Sequence, residues 1–96
     1  MKTAAEFIEF FEAIPEEKWT VGSFIDEQGQ CCAYGHLGCR DGQFPEPVDS
    51  DALCDLFRDC SVVRINDGQD ARFKQPTPKQ RILAALREIQ AKEQQP

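Results

Sequence analysis

Apolar residues recur at helical spacing in three stretches of the chain. Phe7, Phe10, Phe11 and Ile14 fall on one face, with Glu6, Glu9 and Glu12 opposite. Thr3-Ala4-Ala5-Glu6 has the form of a capping box, in which the hydroxyl accepts from the Glu6 amide and the carboxylate returns the bond. Pro15 stops this segment, because the residue before a proline is pushed out of the helical region. A helix is therefore expected over 4–14. Leu53, Leu56, Phe57 and Cys60 form the inner face of a second helix, capped by Asp49 or Ser50. Asp51, Asp55 and Asp59 form its outer face. The third opens on Thr77-Pro78-Lys79-Gln80, with a threonine cap and proline in the first turn, and buries Ile82, Ala85, Leu86 and Ile89.

Between these helices the period changes. Trp19, Val21 and Ile25 alternate, 26–30 supplies a turn, and the chain resumes at Cys31-Cys32-Ala33-Tyr34. That pattern predicts a short hairpin whose second arm runs into a helix over 32–40. Gly35 and Gly38 inside that helix point to close packing, since each costs about 1 kcal/mol against alanine in an exposed helix. The β-branched run 61–65 is a candidate strand. Asn66-Asp67-Gly68 is a tight-turn signal. The expected fold is α+β, a single domain over 1–96 with its ordered core at about 3–92. It has about four helices and a small, mainly antiparallel β element. Trp19, Tyr34, Phe57 and Leu86 are expected in the core.

At 96 residues, 41% hydrophobic and 29% charged, the chain has the composition of one globular domain. No apolar run approaches the ~20 residues that span a bilayer, and the charged start does not read as a secretory signal, so a cytoplasmic location is expected. The five cysteines are odd in number, and Cys31 and Cys32 are adjacent. In a reducing compartment they are expected as thiols, metal ligands or core filler, not as disulfide staples. The net charge of −6 is uneven: thirteen acids face four bases in residues 1–60, and four face seven in the remainder. That balance argues against a general nucleic-acid binder, which needs cations to neutralise phosphate.

Three constellations could carry chemistry. If 32–39 is helical, Cys32, His36 and Cys39 lie within about 60° of one another and form a stripe of two thiols and the only imidazole. With Cys31, and with Cys54 or Cys60 from another helix, such a stripe could hold zinc, or it is simply a buried face. Cys32 just after a turn could instead be a nucleophile stabilised at a helix N-terminus, with His36 as base and Asn66 or Asp67 orienting the ring. One helical turn is poor geometry for that relay. Asn66-Asp67-Gly68 lacks the spaced oxygen ligands and closing glutamate of a calcium loop. Nucleotide-binding glycine motifs are absent. The third feature is acidic: Asp51, Asp55 and Asp59 on one helix, and Glu9 and Glu12 among the glutamates of the first. Either these are solvated faces or they dock a basic partner.

Trp19-x2-Gly22, Cys32-Ala33-x-Gly35-x-Leu37, Asn66-Asp67 and the closing helix segment Arg81-Ile-Leu-Ala-Ala-Leu86 together resemble an uncharacterised family of small phage and bacterial proteins. The resemblance spans residues 19–90. It implies no established activity, and it implies a small residue where this chain has His36, which argues against a role requiring that side chain. A phage or mobile-element origin implies a binding protein acting in a host cytoplasm. The function expected from the sequence is therefore a small, acidic, non-enzymatic interaction protein docking on the basic surface of a host protein. No cofactor, membrane or direct nucleic-acid contact is expected. The alternative is a thiol- or zinc-dependent site at Cys32, His36 and Cys39.

Overall fold

The computed structural model describes residues 1–40, 48–58 and 61–93. Its described elements are α1 (Ala4–Glu12), a 3-10 turn (Glu16–Lys18), α2 (Ala33–His36), α3 (Val48–Leu56), α4 (Val62–Asn66) and α5 (Pro78–Glu93). The expected α+β class is therefore corrected: among the described residues there is no strand. Two isolated bridges remain, Trp19 to Cys31 and Ile25 to Cys31. Thr20 N donates to Cys31 O at 3.0 Å and Cys31 N to Lys18 O at 2.8 Å. The chain bends through 21–24 before a ladder can grow.

The candidate strand at 61–65 is a helix for a reason that its burial pattern exposes. Val62, Ile65 and Asn66 are buried at spacings of three and four, while Val63 is 48% exposed. A strand would bury alternate residues. Packing of one helical face against α5 has overridden the β preference of the valines.

Two of the three expected helix starts are present; Asp49 and Ser50, expected to cap the second helix, instead lie inside α3, which begins at Val48. Thr3 and Glu6 form the reciprocal capping box of α1, and Gln80 N donates to Thr77 Oγ1 at 3.2 Å at the start of α5. The Gln80 side chain does not complete a second box; it reaches Glu16 Oε1 at 3.1 Å. α1 and α5 pack along one another through Phe7, Phe11, Ile82 and Leu86, all fully buried. At the edge of that contact Arg87 pairs with Glu12 at 2.8 Å. Trp19 joins the core, its ring centroid 5.3 Å from that of Phe11. Leu53 of α3 and Phe57, just beyond its end, are buried, and Tyr34 is only half-buried.

Arg81 is the least ordinary core residue. The residue is 8% exposed, and its guanidinium bonds carbonyls, not a carboxylate: Nη2 to Asn66 O at 2.8 Å, Nε to Ile65 O at 3.1 Å and Nη1 to Gln75 O at 2.9 Å. Those acceptors include the last two carbonyls of α4, of which Ile65 O also accepts from Gly68 N at 3.2 Å, so a side chain of α5 adds to the hydrogen bonding at the end of another helix.

Candidate functional site

The residues singled out around Cys32 converge, though not as a stripe. α2 is four residues long, so the expected helix over 32–40 is shortened. Leu37 caps it, and Gly38 turns the chain at φ 98°, a backbone conformation that side chains with a Cβ rarely adopt. Cys39 therefore lies beyond the helix and does not continue the spacing of Cys32 and His36. Arg40 Nη1 closes this end, donating to Gly35 O at 3.0 Å and Cys39 O at 2.7 Å. Among the described residues no group of three or more His, Cys, Asp or Glu side chains is gathered as a metal site would require. Cys60 lies outside the described residues, while Cys54 is disulfide-bonded, counter to the expectation that no cysteine is a staple.

Cys32 is the cap residue of α2, its Sγ accepting from Gly35 N at 3.4 Å. It lines a pocket of about 230 Å³ with Asn66 and Asp67 of the α4 end. Phe24, Tyr34, Val62 and Val63 supply most of the apolar wall. Asn66 is 1% exposed and organises the polar side of the cluster. Its Oδ1 accepts from Ala33 N at 3.0 Å, and its Nδ2 donates to Thr20 O and to Asp67 Oδ1, both at 3.0 Å. Asp67 Oδ1 also accepts from Gly22 N at 3.1 Å. One buried amide thus ties together the loop after Trp19, the start of α2 and the end of α4.

His36 is not among the residues lining this pocket. Its ring packs on Trp19 with centroids 4.6 Å apart. His36 Nε2 and Trp19 Nε1 are both buried without a hydrogen-bond partner among the described residues. Burial, then the charge of Arg40, lowers the His36 pKa from 6.5. The unfolded chain accordingly binds a proton that the folded chain resists as pH falls below 6.5, and stability falls with it. Thermal melts between pH 8 and pH 5 should show this loss in the wild type and a flatter profile in His36→Phe. Parallel profiles would remove His36 as its source.

Burial also raises the Cys32 thiol, with Asp67 and Cys31 adding to the shift and the amides of Gly35 and Tyr34 opposing it. A neutral, buried thiol is a poor nucleophile. Cys31 and Cys32 are each 7% exposed, and Cys39 is 2% exposed. In the native protein at neutral pH, iodoacetamide should label all three far more slowly than it labels the urea-unfolded chain. Rapid, selective labelling of Cys32, abolished in His36→Ala, would restore the relay.

The acidic residues sit elsewhere. Glu9 on α1 and Asp51 and Asp55 on α3 are exposed, and none makes an ion pair among the described residues. Glu12 is exposed but paired with Arg87. Asp59 lies outside the described residues. Sequence reasoning missed the pocket, because Val62 and Val63 were assigned to a strand, and it missed Asn66 as a buried cap. An amide one residue past Ile65, on the face of Val62 and Ile65, was the signal available.

The site defines a small helical chain with a polar knot beneath an apolar pocket and separate carboxylates on α1 and α3. No family model, curated protein or solved structure matches the chain. No helix among the described residues is long and apolar enough to cross a membrane.

Proposed function

We propose that this chain is a non-enzymatic interaction protein that docks on a basic protein surface through carboxylates of α1 and α3. The observation that carries this reading is the pairing state of those groups. Glu9, Asp51 and Asp55 face solvent and form no ion pair among the described residues, although Lys2 lines one cleft with Asp51 and Asp55, whereas Glu12 is already paired with Arg87. Exposed like charges are a weak cost to folding and a steering field for a partner of opposite sign. A thiol- or zinc-dependent site at Cys32, His36 and Cys39 has less support, since Cys39 lies off the α2 helix and burial keeps the Cys32 thiol protonated.

The test is capture of partners from a lysate of the source cells, with wild type and with Asp51→Asn/Asp55→Asn, at low and high salt. A specific partner should be retained by wild type and weakened by the variant, with salt imitating the substitutions. The Debye length contracts from about 10 Å at 0.1 M salt to about 3 Å at 1 M. A partner held equally by both proteins and indifferent to salt would overturn this reading.

A further inference from the structure

The pocket beside Cys32 has features that packing alone does not require. Its volume of about 230 Å³ exceeds the roughly 150 Å³ of an apolar cavity that accepts benzene. Among the described residues the exposed large hydrophobic side chains are Val21, Ile25 and Val63, at 48, 42 and 48%. Val63 lines the pocket, Val21 precedes its lining residue Gly22, and Ile25 follows its lining residue Phe24. Exposed apolar side chains gathered at a cleft mark a contact surface more often than scattered ones do.

The charge at this cleft is of one sign. Asp67 lines it, and among the described residues no Lys, Arg or His does. Asp67 takes its hydrogen bonds from Gly22 N and Asn66 Nδ2 at Oδ1; Oδ2 takes none among the described residues, and no ion pair neutralises the group there. Its charge is felt within the pocket, where it contributes to raising the Cys32 thiol. Arg81 lies behind the turn at Gly68, but its guanidinium is occupied by carbonyls.

We propose that this pocket binds a lysine side chain of a partner polypeptide. The four-carbon stem lies against Phe24, Tyr34, Val62 and Val63, the ammonium meets Asp67, and apolar neighbours of the lysine cover Val21, Ile25 and Val63. Lysine fits better than arginine because Oδ1 is already committed to two donors. A single open carboxylate oxygen suits a point charge on an apolar stem, not a guanidinium fork seeking two oxygens. A second copy of this chain is a poorer occupant, since each copy carries a net charge of −6. The site is distinct from the carboxylates of α1 and α3 and does not depend on their role.

The test uses the full chain and two probes, the peptides acetyl-Val-Lys-Val-amide and acetyl-Val-norleucine-Val-amide, which differ at the ammonium. Amide NMR spectra should show saturable shifts at Gly22, Ala33, Val63 and Asp67 with the lysine peptide. The norleucine peptide should bind about tenfold more weakly, the scale of one charge-assisted hydrogen bond. Asp67→Asn keeps an oxygen for both native hydrogen bonds, so it should stay folded and bind the lysine peptide no better than the norleucine one. Val63→Ser should weaken both peptides, and Asp51→Asn/Asp55→Asn should leave the pocket shifts unchanged. Equal binding of the two peptides by wild type would overturn the proposal, as would undiminished lysine binding by folded Asp67→Asn. So would the absence of saturable shifts at millimolar peptide. Concentration of the protein alone moving the same amides would make the occupant a second copy and overturn it as well.

Discussion

Gly35→Ala should destabilise the protein by about 4–5 kcal/mol, a loss of a size that few single substitutions reach. Alanine is the better helix former by about 1 kcal/mol, so local preference alone favours the change. Packing opposes it. A Cβ at residue 35 would fall on the carbonyl oxygen of Phe24, with Phe24 C at 2.8 Å and Cys31 Cβ at 2.9 Å. The obstruction is mainly backbone, and no rotamer change relieves it. That carbonyl also accepts from Cys32 N at 3.3 Å, so displacing it loosens the start of α2. Urea titration followed by circular dichroism measures the loss directly. A variant with an unchanged midpoint would mean that residues 22–25 can retreat from α2 without cost.

Asn66→Leu should cost roughly 3–6 kcal/mol. Leucine leaves the buried Ala33 N and Thr20 O without their partners, and each stranded polar group costs about 1–3 kcal/mol. Asp67 keeps its bond from Gly22, so it contributes less to the loss. Asn66→Asp is the informative companion. It retains an acceptor for Ala33 N but turns a buried donor into a carboxylate facing Asp67 Oδ1 and Thr20 O, each 3.0 Å from the native Nδ2, so it should be at least as destabilised as Asn66→Leu at neutral pH and recover in part as the new carboxyl is protonated at lower pH. Amide hydrogen exchange at Ala33 distinguishes the two at that lower pH: fast exchange in Asn66→Leu and slower exchange in Asn66→Asp. Protection at Ala33 in both would show that another acceptor serves that amide.

These two residues show where the sequence was legible and where it was not. The first and last helices announce themselves through Thr3 and Thr77, because caps and helical period are local properties. The stretches 19–34 and 61–68 are settled by contacts between segments distant in sequence. Val62 and Val63 look alike in a sequence, yet one is buried and the other open, because α5 lies on only one side of α4. Asn66 and Asp67 look like a turn from their neighbours alone. The amide of Asn66 acquires its role only once Ala33 and Thr20 are beside it, which nothing near residue 66 foretells. The Cys32 site was half legible: its place at a helix start and its nearness to Asn66 and Asp67 were open to inference. The separation of His36 was not, because it follows from Trp19 capturing the imidazole.

The packing of α1 against α5 has a consequence for how the chain is made. Phe7 and Phe11 leave the ribosome well before α5, the helix that covers them. At about 5–20 residues per second, the interval between the two helices is on the order of four to sixteen seconds. Throughout that interval the aromatic face of α1 is without its final cover, and no early segment can complete the core on its behalf. The nascent chain should therefore remain sensitive to added protease until α5 has emerged, and acquire resistance in one late step.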